Sequence, residues 1–145
     1  MFRKYMAASL LVLSLVGCAS VPMGDTKRDA ELKTFAAKKD VAGIYIYRNE
    51  SFGAAIRMDV SVDGKPLGKT AAKTYFYTEV APGKHTITSE SENTDTLEIE
   101  TVAGKLYYVW QEVKMGLLYA RTKLSLVSEE EGKNGVMESQ LAASR

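Results

Sequence analysis

The side chains able to do chemistry are few. Among 145 residues there is one cysteine, Cys18, and one histidine, His85, which excludes disulfide frameworks, Cys-x-x-Cys redox sites and His/Cys-rich zinc sites. A Ser-His-Asp relay on His85 would need Ser89 or another serine brought to it by folding, with an acid to orient the ring. Placed just after Pro82-Gly83 at the mouth of an apolar run, His85 reads as a turn or half-exposed strand residue. Glu90, Glu92, Asp95, Glu98 and Glu100 recur around Asn93 and would attract calcium if a loop gathered them, but EF-hand spacing is absent. Glu98 and Glu100 alternate with Leu97 and Ile99, the pattern of a charged outer strand face that discourages edge-to-edge pairing. No metal, no cofactor and no catalytic set is expected.

Two further features are candidates for contact rather than catalysis. Tyr45, Tyr47, Tyr75, Tyr77, Tyr108 and Trp110 fall in apolar runs, where flat amphipathic rings provide a surface for a sugar ring or an extended peptide. Equally, such rings stabilise sheets by cross-strand pairing with no ligand at all. Met115-Gly116-Leu117-Leu118-Tyr119 is an unusually apolar connection between two runs, since loops normally face water. Either Leu117 and Leu118 fold back over an open end of the core, or they and Tyr119 touch a partner or a membrane surface.

The elements that must position these residues are mostly strands. From Val41 the apolar period is two: Ile44 and Ile46 alternate with Tyr45 and Tyr47, and Ile56, Met58, Val60 and Val62 with Arg57, Asp59, Ser61 and Asp63. Further runs at 75–80, 84–90, 97–102, 106–114 and 120–127 bring the count to about seven. That spacing predicts an all-β, mainly antiparallel β-sandwich. Asp63-Gly64 marks a tight hairpin, Pro82-Gly83 a type II turn and Ala103-Gly104-Lys105 a third reversal. A short N-terminal helix is expected from about Lys27 to Ala37, capped by Asp25 or Thr26. Ser128-Glu129-Glu130-Glu131 has the form of a capping box and predicts a short C-terminal helix or turn over 128–141, which Gly132 and Gly135 weaken.

The first residues supply an address. Arg3 and Lys4 precede an apolar stretch, 6–16, with the length of a signal-peptide core and too short to span a bilayer as a stable helix. The stretch ends in Leu15-Val16-Gly17-Cys18, which resembles the lipobox of bacterial lipoproteins. The resemblance implies cleavage before Cys18 and acyl chains on that residue, and two or three chains make release from a membrane negligible. Ala19 stands where an Asp would signal inner-membrane retention, so the resemblance implies the outer membrane facing the periplasm, or the cell membrane in a monoderm. The chain thus divides into a signal peptide, 1–17, a lipidated tether and short helix, 18–40, with 19–25 flexible, and a β-sandwich domain, 41–145. Without Arg3 and Lys4 the 19 Lys and Arg fall to 17, against 18 Asp and Glu, leaving no electrostatic case for nucleic acid.

Two resemblances cover the rest. Val62-Asp63-Gly64, Leu67-Gly68-Lys69-Thr70 and Pro82-Gly83-Lys84-His85-Thr86-Ile87 resemble the hairpin pattern of PEGA-type β modules, though Ala71 replaces their usual Pro and only the hairpin logic carries over. With the lipobox, Tyr45-Ile46-Tyr47-Arg48 and Val109-Trp110-Gln111-Glu112-Val113, the chain resembles the small lipoproteins grouped as domain-of-unknown-function family 2846, which implies a β-rich lipoprotein and no activity. The expectation is a non-enzymatic, lipid-anchored module that meets an envelope protein or glycan. The alternatives are a carboxylate-based hydrolase of an envelope polymer, which needs two acids facing one aromatic cleft, and a purely structural envelope-stress lipoprotein.

Overall fold

The computed structural model describes residues 19–145; the signal peptide expected over 1–17 and the expected acylation at Cys18 lie outside the described residues. The elements run α1 (Thr26–Leu32), β1 (Ala42–Arg48), β2 (Met58–Val62), β3 (Lys65–Thr70), β4 (Thr74–Val80), β5 (Gly83–Glu90), β6 (Thr94–Thr101), β7 (Leu106–Met115), β8 (Ala120–Val127), α2 (Glu129–Met137) and β9 (Gln140–Leu141). Two sheets form, in the orders β8-β7-β1-β4-β9 and β3-β2-β5-β6. The fold is therefore all-β with two small helices, as expected. Nine strands stand where about seven were expected, among the described residues, because Lys65–Thr70 forms β3 beyond the Asp63-Gly64 turn and a two-residue β9 is added near the C-terminus. β2 begins at Met58, later than expected, because Ile56 N is turned to Gly53 O in the preceding loop.

Alternation along the strands builds two cores. Ile44, Ile46, Val60, Val62, Phe76, Ile87, Ile99, Val109 and Leu124 point between the sheets and are buried together. The opposite face of the five-stranded sheet carries Tyr45, Tyr47, Tyr75 and Tyr108, buried with Leu32 of α1 and Val136 of α2. The result is three layers, helices over one sheet over the other, and β1 is buried along its whole length. β1 runs parallel to β7, from Gly43 beside Leu106 to Tyr47 beside Trp110. Such a pair, distant in sequence, leaves no local signal.

The turns follow their residues. Asp63 and Gly64 have φ of 51° and 77°, the two positive values of the two-residue hairpin turn. Ser128 caps α2, its hydroxyl accepting from Glu131 N at 3.2 Å. Gly132 and Gly135 do more than weaken that helix: a Cβ would fall 2.2 Å from Tyr108 Cγ at the first and 2.1 Å from Tyr47 Cε2 at the second. Bare backbone at both positions lets α2 lie directly on the tyrosine rings. α1 ends earlier than expected, at Leu32, because the chain turns at Phe35 into the left-handed region, φ 52°. The Phe35 ring then packs 5.5 Å from Tyr45 and 6.0 Å from Tyr108, centroid to centroid.

The expected flexible tether over 19–25 is corrected by its bonding. Ala19 N donates to Ala54 O, Gly24 N to Leu141 O and Ala143 N to Pro22 O, each at 2.9 Å. Val21 belongs to the core between the sheets. Packing begins at Ala19, with no break at 41.

Three of the four edge strands are covered, β3 only in part. Ser91, Glu92, Asn93 and Asp95 bind the outer backbone of β8, with Asn93 Nδ2 donating to Thr122 O at 2.9 Å and its Oδ1 accepting from Thr122 N at 2.7 Å. Residues 22–24 lie along β9, and Arg145 N donates to Leu67 O of β3. β6 presents Glu98 and Glu100 to solvent.

Candidate functional site

The residues singled out from sequence separate by burial. Tyr45, Tyr47, Tyr75 and Tyr108 are buried and Tyr77 and Trp110 half-buried, so the candidate aromatic contact surface is not a free face. Its rings serve packing: Tyr45 stacks on Tyr108 at 5.2 Å, and its hydroxyl donates to Leu32 O at 2.7 Å. The Tyr75 hydroxyl donates to Asp29 of α1. Desolvation under the helices pushes the hydroxyls of Tyr47 and Tyr108 up to about 12 and raises those of Tyr45 and Tyr75 further. An open aromatic face is ruled out because an apolar sheet face must be covered, and α1 and α2 cover it.

Leu117 and Leu118 do the opposite. They are 96% and 88% exposed, so they do not cap the core. Met115 is also exposed, as are Tyr119 and Phe52. The loop that carries them is nonetheless held. Glu92 accepts from Leu118 N at 2.7 Å and Tyr119 N at 3.2 Å, and these backbone donors, the Leu118 amide foremost, keep its carboxyl below the ordinary range. Gly116 makes room for that carboxylate, because a Cβ there would meet Glu92 Oε2 at 1.5 Å.

All of this lies at one end of the sandwich. The β1–β2, β3–β4, β5–β6 and β7–β8 connections share that end, since Arg48 pairs with Thr74, Met58 with Thr70 and Glu90 with Thr94. Arg48, wholly buried, organises the β1–β2 loop from within: Nη1 donates to Ile56 O at 2.6 Å and Thr70 O at 3.3 Å, and Nη2 to Gly53 O at 2.8 Å. Burial pushes its guanidinium down to about 10, against the pull of Glu50, so it remains cationic at neutral pH. Glu50 in turn accepts from Val113 N at 2.7 Å, where β7 has run past its partner β1. Beneath this end a buried polar chain joins the sheets. Thr70 Oγ1 donates to Gln111 Oε1 at 2.6 Å, Gln111 Nε2 to Ser89 Oγ at 2.7 Å, and Ser89 Oγ lies 2.6 Å from Thr122 Oγ1.

Sequence reasoning missed Arg48 and Gln111, and parity would have found both. Arg48 shares the inner face with Ile44 and Ile46, and Gln111 shares it with Val109 and Val113.

His85 sits at the opposite end. Its Nδ1 is 2.6 Å from Asp63 Oδ2 and its Nε2 2.6 Å from Ala81 O. Both partners accept, so the ring satisfies them only as the imidazolium, and the Asp63 bond raises its pKa while His85 lowers that of Asp63. No serine completes a relay there. The contribution of a raised histidine is full below its unfolded value of about 6.5 and is lost as pH rises through the folded value. The depressed Asp63 makes the converse loss as pH falls below the ordinary carboxylate range. With Asp63 44% exposed, the pair contributes under about 1 kcal/mol. Urea midpoints of wild type and His85→Gln across pH should therefore converge above the histidine range; a constant gap would remove the charge pairing.

Among the described residues no group of three or more His, Cys, Asp or Glu is gathered as a metal site. Glu92 and Asp95 are engaged with backbone amides of 118–119 and 124. No described helix is long and apolar enough to cross a membrane.

The molecule is thus a helix-covered β-sandwich with one apolar, backbone-pinned loop end. The chain belongs to DUF2846, a family of proteins of unknown function, whose pattern matches residues 38–123. It is similar to an uncharacterized protein of Haemophilus influenzae (strain Rd), 37% identical over 137 residues, which cover 92% of this chain and 81% of that protein. No solved structure matches it.

Proposed function

We propose that the protein is an acylated lipoprotein of the periplasmic face of the outer membrane (or of the cell membrane in a monoderm), acting as a non-enzymatic module that meets other envelope components. The observation that supports this reading is the Leu15-Val16-Gly17-Cys18 run standing directly before Ala19, which is the first of the described residues and is already bonded into the fold. Acyl chains on Cys18 would join the domain without a spacer. The engagement of Glu92 and Asp95 with backbone amides, and of His85 with Asp63 and Ala81, favours contact over catalysis, because each group already has a structural partner.

The test is Cys18→Ala in the full chain, grown with labelled palmitate. Label is expected in the wild type and absent from the variant, which should stay unprocessed or leave the membrane fraction. Equal label in both would end the acylation reading.

A further inference from the structure

The apolar loop tip and the start of the fold occupy the same end of the molecule. Ala19 N is bonded to Ala54 O, in the loop that also presents Phe52, 54% exposed. A Cβ on the neighbouring Gly53 would lie 2.7 Å from Val113 Cγ1, and Val113 is two residues before Met115. β7 continues from Gln111 to Met115 beyond its last pairing with β1, so its end lies about 16 Å past that pairing. The tip carries the most exposed large apolar side chains of the described residues, Leu117, Leu118 and Met115. Such side chains stay in water only at a cost unless something receives them.

Its backbone is not loose. Glu92 ties the amides of Leu118 and Tyr119, which leaves the two leucines pointing outward on a fixed turn. Lys114 and Arg121 lie opposite one another at the base of the hairpin, and both are exposed. Exposed Glu90 shares that end, so the apolar tip rather than net charge must supply the contact. Interfacial segments enter a leaflet to a depth of about 5–10 Å.

We propose that Leu117 and Leu118, presented by the β7–β8 tip, insert into the headgroup region of the phospholipid leaflet that holds the acyl chains, a second contact that fixes how the domain stands on the membrane. This rests on acylation at Cys18 for its choice of occupant, because only that end of the sandwich is brought to the leaflet by Ala19.

The experiment uses the full acylated chain in vesicles of phosphatidylethanolamine and phosphatidylglycerol. An environment-sensitive thiol probe is placed by Met115→Cys, or by Val102→Cys as an exposed apolar control at the far end; acylation leaves Cys18 with no free thiol, and mass measurement scores it separately. The Met115 probe should shift to the blue and be quenched by acyl-brominated lipids several-fold more than the Val102 probe, with little response to salt. Leu117→Ser with Leu118→Ser, at sites exposed enough to leave the fold intact, should abolish the difference. Equal quenching at both positions on acylated protein would overturn the proposal, as would an unquenched Met115 probe that crosslinks to an envelope protein. If mass shows Cys18 unacylated, the anchoring reading fails by itself. Quenching of Met115→Cys in a Cys18→Ser chain would then still uphold insertion, and its absence would overturn it.

Discussion

Arg48→Ala should cost about 3–5 kcal/mol of folding stability, the range for removing one member of a buried charged network. The guanidinium is shared by three carbonyls, those of Gly53, Ile56 and Thr70, of which Gly53 O also accepts from Ile56 N. Truncation leaves these acceptors facing a cavity, each lost pairing costing about 1–3 kcal/mol when no water replaces it. The damage should be local before it is global, because Arg48 is the post around which the β1–β2 loop is wound. Hydrogen exchange at the Ile56 and Ala19 amides, bonded to Gly53 O and Ala54 O, should quicken more than at β5 or β6. Arg48→Met retains most of the volume but none of the donors, and should recover less than half of the loss. Arg48→Lys keeps a charge without the fork and should fall between. A loss under about 1 kcal/mol for the alanine variant would mean that solvent satisfies the loop and that Arg48 does not organise it.

Gln111→Ala is expected to cost about 2–5 kcal/mol, for a different reason. The amide is the middle of the Thr70, Gln111, Ser89, Thr122 chain, and its loss takes one partner from each of two buried hydroxyls, leaving Thr70 Oγ1 with the long bond to Met58 O at 3.4 Å and Ser89 Oγ with Thr122 Oγ1 alone. Gln111→Leu fills the volume and still leaves both hydroxyls without the amide, so it should remain destabilised by about 1–3 kcal/mol. Adding Thr70→Val, Ser89→Ala and Thr122→Val to Gln111→Leu removes the remaining polar groups of the chain. Stability should then rise relative to Gln111→Leu alone, a non-additivity that urea midpoints in a mutant cycle would read directly. Strict additivity would show that the four groups do not act as a network.

Both residues illustrate where sequence reasoning stops. Period-two alternation located the strands, and positive φ at Asp63 and Gly64 and the Ser128 cap appeared where residue chemistry required them. The same alternation put Arg48 and Gln111 on inner faces, yet a polar residue in an apolar pattern is ordinarily read as the end of burial. Only the carbonyls and hydroxyls gathered around them make their burial tolerable: for Arg48 those of Gly53 and Ile56 in the irregular loop that follows and of Thr70 on β3, for Gln111 those of Thr70 and Ser89 on other strands. The tyrosine face failed for a related reason: its cover, α1 and α2, has only partial apolar stripes. The close approach of α2 depends on Gly132 and Gly135, three residues apart on one helical face. Glycine there looked like a breaker because propensity describes an isolated helix, whereas contact with Tyr47 and Tyr108 describes a docked one. The Leu117-Leu118 tip was legible as unusual, and its exposure removes the reading in which it caps the core.

The covering of the strand edges restricts how this protein can meet anything. Recognition by strand addition, in which a partner's extended segment continues a sheet through main-chain hydrogen bonds, requires an unoccupied row of amides and carbonyls. Here the 91–95 side chains have taken that row on β8, residues 22–24 on β9 and the C-terminal residue part of it on β3. β6 meets an approaching strand with Glu98 and Glu100. On β8, β9 and the covered part of β3, neither a partner peptide nor a sister molecule finds a ready docking rail. Contacts therefore fall to side chains at loop tips, whose sequences can change without disturbing the sheets beneath them.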